Sequence, residues 1–159
     1  MRSIKKRFAK ARIISKVIQF EENGGSSFND EDLGKDSGET TTLTTDCTVA
    51  DKGSRIEIEY EESEITGMAG SKTKVFFDKQ CPTLVSILRE GAVSTALVFE
   101  EGRRHHCVYE TPYFPIELCV NTLSLENSLN YNGGSMHAEY TIEMNGVLAE
   151  KTIITISIL

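Results

Sequence analysis

The chain has no tryptophan, only three prolines, no pair of cysteines at CxxC spacing and no apolar run near the ~18–20 residues that span a bilayer as a helix. The last absence excludes a transmembrane helix. At the N-terminus, Lys and Arg separate Ile4, Phe8 and Ala11, so the apolar core of a secretory signal is missing and a cytoplasmic location is expected. Cys47, Cys81, Cys107 and Cys119 are far apart in sequence, and a chain of this size needs no disulfide staples, so reduced thiols are expected. His105 and His106 are adjacent, so on a strand they point to opposite faces. At most one can join Cys107 and Cys119, and neither a metal site nor a cofactor is expected. The phosphate-loop pattern GxxxxGK[ST] is absent. Gly67, Gly70 and Ser71 lead into KTKVFFD, which reads as a strand rather than an anion-binding helix start.

What is present is an ordinary globular composition, 39% hydrophobic and 26% charged over 159 residues, enough for one core and one domain. Charge is uneven. Residues 1–16 carry seven basic side chains and no acidic ones, which with a total of −7 leaves −14 for the rest. This divides the chain into a basic N-terminal segment, 1–9, and a single domain, 10–159, interrupted by an acidic loop at 22–38. The alternative to a small ligand is a macromolecular partner, protein or nucleic acid, docking on the basic segment; an acidic body repels phosphate backbones and no aromatic nucleic-acid motif is present, so nucleic acid is the less expected of the two.

Alternation dominates the pattern. In RIEIEYE, Ile56, Ile58 and Tyr60 face one way and Glu57, Glu59 and Glu61 the other, a strand with one wet face of solvated carboxylates. Similar runs are expected at about 10–21, 39–50, 72–78, 83–89, 95–100, 104–111, 116–129, 136–144 and 147–159, although 3–12 also admits a helix. Gly102, Asn132-Gly133-Gly134 and Asn145-Gly146 mark hairpin turns, the last most strongly because both central positions of a type I′ turn need positive φ. Eight to ten antiparallel strands with short connections imply an all-β fold, an up-and-down meander closed into a barrel that leaves no exposed edges.

One stretch, EEGRRHHCVYETPYFPIELCV, combines strand alternation, a breaker and most of the reactive side chains. His105, Cys107, Tyr109 and Thr111 share one face, and it is the better inward candidate because the other carries Arg104 and Glu110. The run EEGRRHHCVYETPY, the preceding Arg89, Gly91, Val93, Leu97, Phe99 and Gly102, the run Gly67-Met68-Ala69-Gly70-Ser71-Lys72-Thr73 and the late NGG-to-NG section resemble the YwiB-like proteins, a bacterial family of unknown function. The likeness covers roughly residues 10–158 and departs at Phe114-Pro115, where a Gly-containing turn is usual. It implies a calycin-like, lipocalin-resembling barrel and no established activity.

A ligand in or at the mouth of such a barrel needs a few polar groups among apolar walls, and face parity nominates Thr73, Arg89, His105, Tyr109 and Thr111. Arg89 shares a face with Val85 and Ile87 and is the natural anchor for a carboxylate or phosphate. An enzyme using His105 as acid/base is weaker: Tyr109, four residues along the same face, lies about 13 Å away and Cys107 about 6–7 Å at a strand rise of ~3.3 Å per residue.

Overall fold

The computed structural model describes residues 4–20, 38–62, 70–91 and 94–159. The expected loop at 22–38, apart from Gly38, and the family-like positions Gly67, Met68, Ala69 and Val93 lie outside the described residues. Within them the chain forms ten strands: β1 (Lys5–Gln19), β2 (Glu39–Asp51), β3 (Arg55–Glu61), β4 (Lys72–Asp78), β5 (Leu84–Glu90), β6 (Thr95–Glu100), β7 (Arg104–Glu110), β8 (Pro115–Asn127), β9 (Gly134–Met144) and β10 (Val147–Ile158). All pair antiparallel in one sheet, ordered β6-β5-β4-β3-β2-β1-β10-β9-β8-β7. Apart from β1 with β10, every pair is sequential, as the meander expectation requires.

The alternation in sequence becomes alternation in burial. Along β9, Met136, Ala138, Tyr140 and Ile142 are buried while the residues between them are half-buried or exposed. The same holds for Val75 and Phe77, Val85 and Ile87, Leu97 and Phe99, and Ile154, Ile156 and Ile158. Each such side chain contributes roughly 1.5–3 kcal/mol on leaving water. Asn145 and Gly146, at φ 51° and 84°, make the expected turn between β9 and β10. Gly134, at φ 91°, has a second reason to be glycine: a Cβ there would sit 2.1 Å from the Ser128 carbonyl oxygen.

Three local expectations are corrected. First, β1 starts at Lys5 instead of about 10, and the helical alternative for 3–12 is not taken up: Lys5–Ala9 pair with Asp51–Cys47 of β2. The alternation was hidden because Phe8 faces outward, 85% exposed, while Arg7 faces inward and its Nε donates to the Tyr131 carbonyl at 2.6 Å. Second, Glu57 is buried despite facing outward, because Lys52 (2.9 Å), Arg55 (3.6 Å) and Lys74 (4.0 Å) close over its carboxylate. Burial alone would raise its pKa; the Lys52 hydrogen bond and the charges of Lys74, Lys52 and Arg55 outweigh this and lower it.

Third, the hairpin at Gly102 turns as expected, but its strands part. Arg103 N–H donates to the Glu100 carbonyl at 3.0 Å, and the far ends meet in a single Ser94–Glu110 bridge. Between these points β6 and β7 share no ladder. The turn is instead tied to β8, where Gly102 N–H donates to the Thr122 carbonyl (2.9 Å) and Thr122 N–H to the Arg103 carbonyl (3.2 Å). These bonds continue the β7–β8 register one residue past Arg104–Asn121, and the β8–β9 register shifts beside them, between Thr122 and Ser124. The barrel is thus nearly closed, with a narrow seam between two strands that are consecutive in the chain.

Candidate functional site

The strand order gives the barrel two ends. One collects the turns β2–β3, β4–β5, β6–β7 and β8–β9; the other collects the turns β7–β8 and β9–β10 and the ends of β3 and β5. Polar side chains gather inside the second end. Parity carries the inward face of β3 from Ile56, Ile58 and Tyr60 on to Glu62, which is 6% exposed. The Glu62 N–H donates to the Ser71 carbonyl at 2.8 Å, holding this position extended beside β4. Its Oε1 accepts a 2.6 Å hydrogen bond from Thr73 Oγ1 and lies 3.7 Å from Arg89 Nε.

Arg89 is positioned by its cross-strand neighbours, Thr73 of β4 on one side and Thr95 of β6 on the other. Its charge reaches Glu62, Tyr60, Tyr140 and Glu150. Burial raises the Tyr60 phenol pKa, and the Glu62 carboxylate adds to the rise against the opposing pull of Arg89. Burial likewise raises Tyr140, opposed by Arg89 and by a hydrogen bond with Thr152. Burial raises the Glu150 carboxyl too, again against Arg89. A β-bulge between Leu148 and Glu150 places them oppositely: Leu148 is 41% exposed while Glu150 turns inward with Thr152 and Ile154.

Arg89, Glu150, Thr95 and Tyr109 form the polar wall of a cavity of about 240 Å³, and Leu97, Leu118, Ile142 and Met144 form its apolar wall. Two buried atoms at this wall, Arg89 Nε and Thr95 Oγ1, have no hydrogen-bond partner among the described residues. The Thr95 hydroxyl lies beside the Cys107 thiol, a weak partner that it meets outside ordinary hydrogen-bond geometry. Buried donors left in this way cost about 1–3 kcal/mol each and are rare in folded proteins. The cavity lies directly behind the β6–β7 seam, since Thr95 and Leu97 belong to one edge and Tyr109 to the other.

Of the residues nominated from sequence, Arg89 and Tyr109 line the cavity, and Thr73 stands one layer behind it, holding Glu62. His105 lies on the same half-buried face of β7 as Tyr109, but its Nε2 sits 3.2 Å from Glu100 Oε1, near the Gly102 turn at the opposite end of β7. Thr111 organises the β7–β8 turn: its hydroxyl donates to the Phe114 carbonyl (2.8 Å) and accepts from the N–H groups of Tyr113 (3.3 Å) and Phe114 (3.2 Å). Glu62, Thr95 and Glu150 were missed, although period-2 counting from Tyr60, Leu97 and Ile154 places each of them on the inward face. All four cysteines are free thiols, and among the described residues no group of three or more His, Cys, Asp or Glu side chains is placed to hold a metal ion. No helix among them is long and apolar enough to cross a membrane.

A family model described as a domain of unknown function (DUF1934) matches residues 28–156. The fold is similar to the crystal structure of ywiB protein from Bacillus subtilis, with a TM-score of 0.65 at 19% identity, covering 96% of this chain and 93% of that one. No curated protein matches the sequence.

Proposed function

This chain belongs to the DUF1934 family, and we propose that it is a binding protein for a small molecule held inside the barrel at the Arg89 end, in the manner of lipocalin-like barrels. The observation that carries this reading is a cavity with a polar wall of Arg89, Thr95, Tyr109 and Glu150 opposite an apolar one, where Arg89 Nε and Thr95 Oγ1 are buried without a hydrogen bond of ordinary geometry among the described residues. Such a cavity supplies orientation from a few polar groups and affinity from apolar contact. At about 240 Å³ it is smaller than the ~300–1,000 Å³ of drug-sized sites, which suits a small metabolite. The free cysteines support a reducing compartment, and we place the protein in the cytoplasm.

The test is thermal unfolding of the wild type and of Met144→Trp across a panel of small metabolites. Met144 stands at the cavity wall and is already 36% exposed, so the larger ring fills space without overpacking the core. A compound that stabilises the wild type and not the variant is expected; equal responses from both, or none from either, contradict the reading.

A second reading rests on the outer face of β1, where Lys6, Phe8, Lys10 and Arg12 stand in line and Phe8 is 85% exposed. Asp46, Glu59 and Glu61 border the same groove, which favours a protein surface of mixed charge over a phosphate backbone. Deleting residues 1–9 is a poor test because Lys5–Ala9 belong to the sheet. Phe8→Ser is the cleaner variant: lost capture of a cellular protein with unchanged unfolding supports docking, and unchanged capture excludes it.

A further inference from the structure

The charges around the cavity restrict its occupant further than size does. This step rests on the binding reading above. Among the described residues the cavity wall holds one cation, Arg89, and one carboxyl group, Glu150, with the Glu62 carboxylate behind Arg89 at 3.7 Å. The Arg89 guanidinium is a donor only, and an ammonium group cannot satisfy it. The head group of the ligand therefore has to bring an acceptor. A phosphate monoester brings nearly two negative charges into a space where two carboxyl groups already share one guanidinium. A monocarboxylate brings one, and its planar oxygens suit a guanidinium donor beside a hydroxyl.

We propose that the ligand is a short monocarboxylic acid that enters together with one proton: its carboxylate accepts from the Arg89 guanidinium and the Thr95 hydroxyl, its aliphatic or aromatic body lies along Leu97, Leu118, Ile142 and Met144, and the proton resides on Glu150. The proton follows from counting charge. With Glu150 ionised, the occupied site holds one cation against three carboxylates out of water, an arrangement that buried charges do not tolerate. With Glu150 neutral, the imbalance falls to one, and Glu150 gains an O–H that can donate to the ligand. The groups that face Glu150 from the packed strands are Arg89 of β5 and Tyr140 of β9; Glu62 and Tyr60 of β3 stand behind Arg89, and Tyr109 of β7 lines the same cavity. Burial pushes Tyr60 and Tyr140 toward their neutral forms, so neither carries a charge against Glu150. Burial already favours its protonated form. About 240 Å³ corresponds to roughly eight water-sized volumes, the size of a C4–C8 acid or of benzoate.

The experiment is calorimetric titration of the full-length protein with butanoate, hexanoate, octanoate and benzoate, and with hexylamine as the opposite charge, in two buffers of different ionisation enthalpy. At least one acid is expected to bind with uptake of close to one proton. Its affinity should fall about tenfold per pH unit above the pKa values of the acid and of Glu150. In Glu150→Gln the uptake and that slope are lost and binding at pH 7.5 becomes tighter, whereas Arg89→Gln weakens binding at least tenfold. If Arg89→Gln does not fold, the wild-type and Glu150→Gln titrations decide the matter. Acid binding that is flat in pH overturns the proton coupling, and hexylamine binding more tightly than every acid overturns the ligand class. A panel compound of another class that binds in an Arg89-dependent way, with no acid binding, also overturns this inference and leaves the small-molecule reading intact. No Arg89-dependent binding of any compound overturns both.

Discussion

At the end where β2 turns into β3 and β8 into β9, the barrel interior is closed by Ile56, Phe77, Val85, Phe99, Met136 and Ile156, and Phe99 rests on Tyr140 at 4.6 Å between ring centroids. At the opposite end the same inward positions of the same strands carry Glu62, Thr73, Arg89, Thr95 and Glu150. The first end is fully buried, whereas at the second Glu62, Thr73 and Thr95 are buried and Arg89 and Glu150 half-buried. Apolar side chains at the first end recover most of the benefit of burial, with only the buried Thr122 hydroxyl lacking a hydrogen bond among the described residues there, while the charged and polar set at the second gives up part of its hydration. Apolar residues at the second end would stabilise the fold at least as well, and the proposed binding function rests on that difference.

The comparison breaks most visibly when one residue is removed from the filled end. Phe99→Ala leaves a cavity among fully buried neighbours and is expected to cost about 3–5 kcal/mol in urea unfolding. A loss under 1 kcal/mol would mean that this end is not the stabilising core. The polar end should behave in the opposite sense. Arg89→Met alone strands the Glu62 carboxylate and is expected to cost about 2–3 kcal/mol, below the ~3–5 of a fully buried pair because the Arg89 side chain is 18% exposed. The double variant Glu62→Leu, Arg89→Met should recover most of that loss or exceed the wild type, while ligand binding disappears. A double variant as unstable as the single one would show that the polar cluster holds the barrel together.

The smallest effects are in pH dependence, and their signs differ between two carboxyl groups. Glu57, outside the barrel, has its pKa lowered by Lys52, Lys74 and Arg55 against the cost of burial, so its contribution is present above the unfolded carboxyl pKa near ~4.3 and is lost as pH falls through the lowered value. Glu150, inside, has its pKa raised by burial against the pull of Arg89. Its native state therefore holds the proton more tightly, and stability falls as pH rises from the unfolded value through the raised one. Denaturation from pH 3 to 8 should show the Glu57→Gln deficit growing as pH rises and then levelling. Glu150→Gln should instead gain on the wild type over the same rise. Equal signs for the two variants would mean that the inside and outside carboxyl groups are not distinguished by the barrel.

Much of the fold was legible because alternation is a local signal. Arg55–Glu61, Lys72–Asp78 and Thr95–Glu100 are strands between the residues read from sequence alone. β1 was read five residues short because an inward Arg7 and an outward Phe8 invert the usual pattern, and only the pairing with β2 explains both. The site was half legible. Arg89 and Tyr109 follow from parity, and so do Glu62 and Glu150, but carboxylates are assigned outward by default, and what holds Glu62 inside is a threonine eleven residues away. The seam was not legible, because the Gly102 turn carries the local signal of a paired hairpin while its backbone bonds go to Thr122 of β8, about twenty residues away.

The most direct measurement is mass spectrometry of the protein purified gently from cells, first native and then after denaturing extraction, with wild type and Arg89→Gln in parallel. The account expects a small carboxylic acid in the wild-type extract and its loss from the variant. The same compound in equal amount in both, or nothing in the wild type together with no thermal response to small acids, would contradict it.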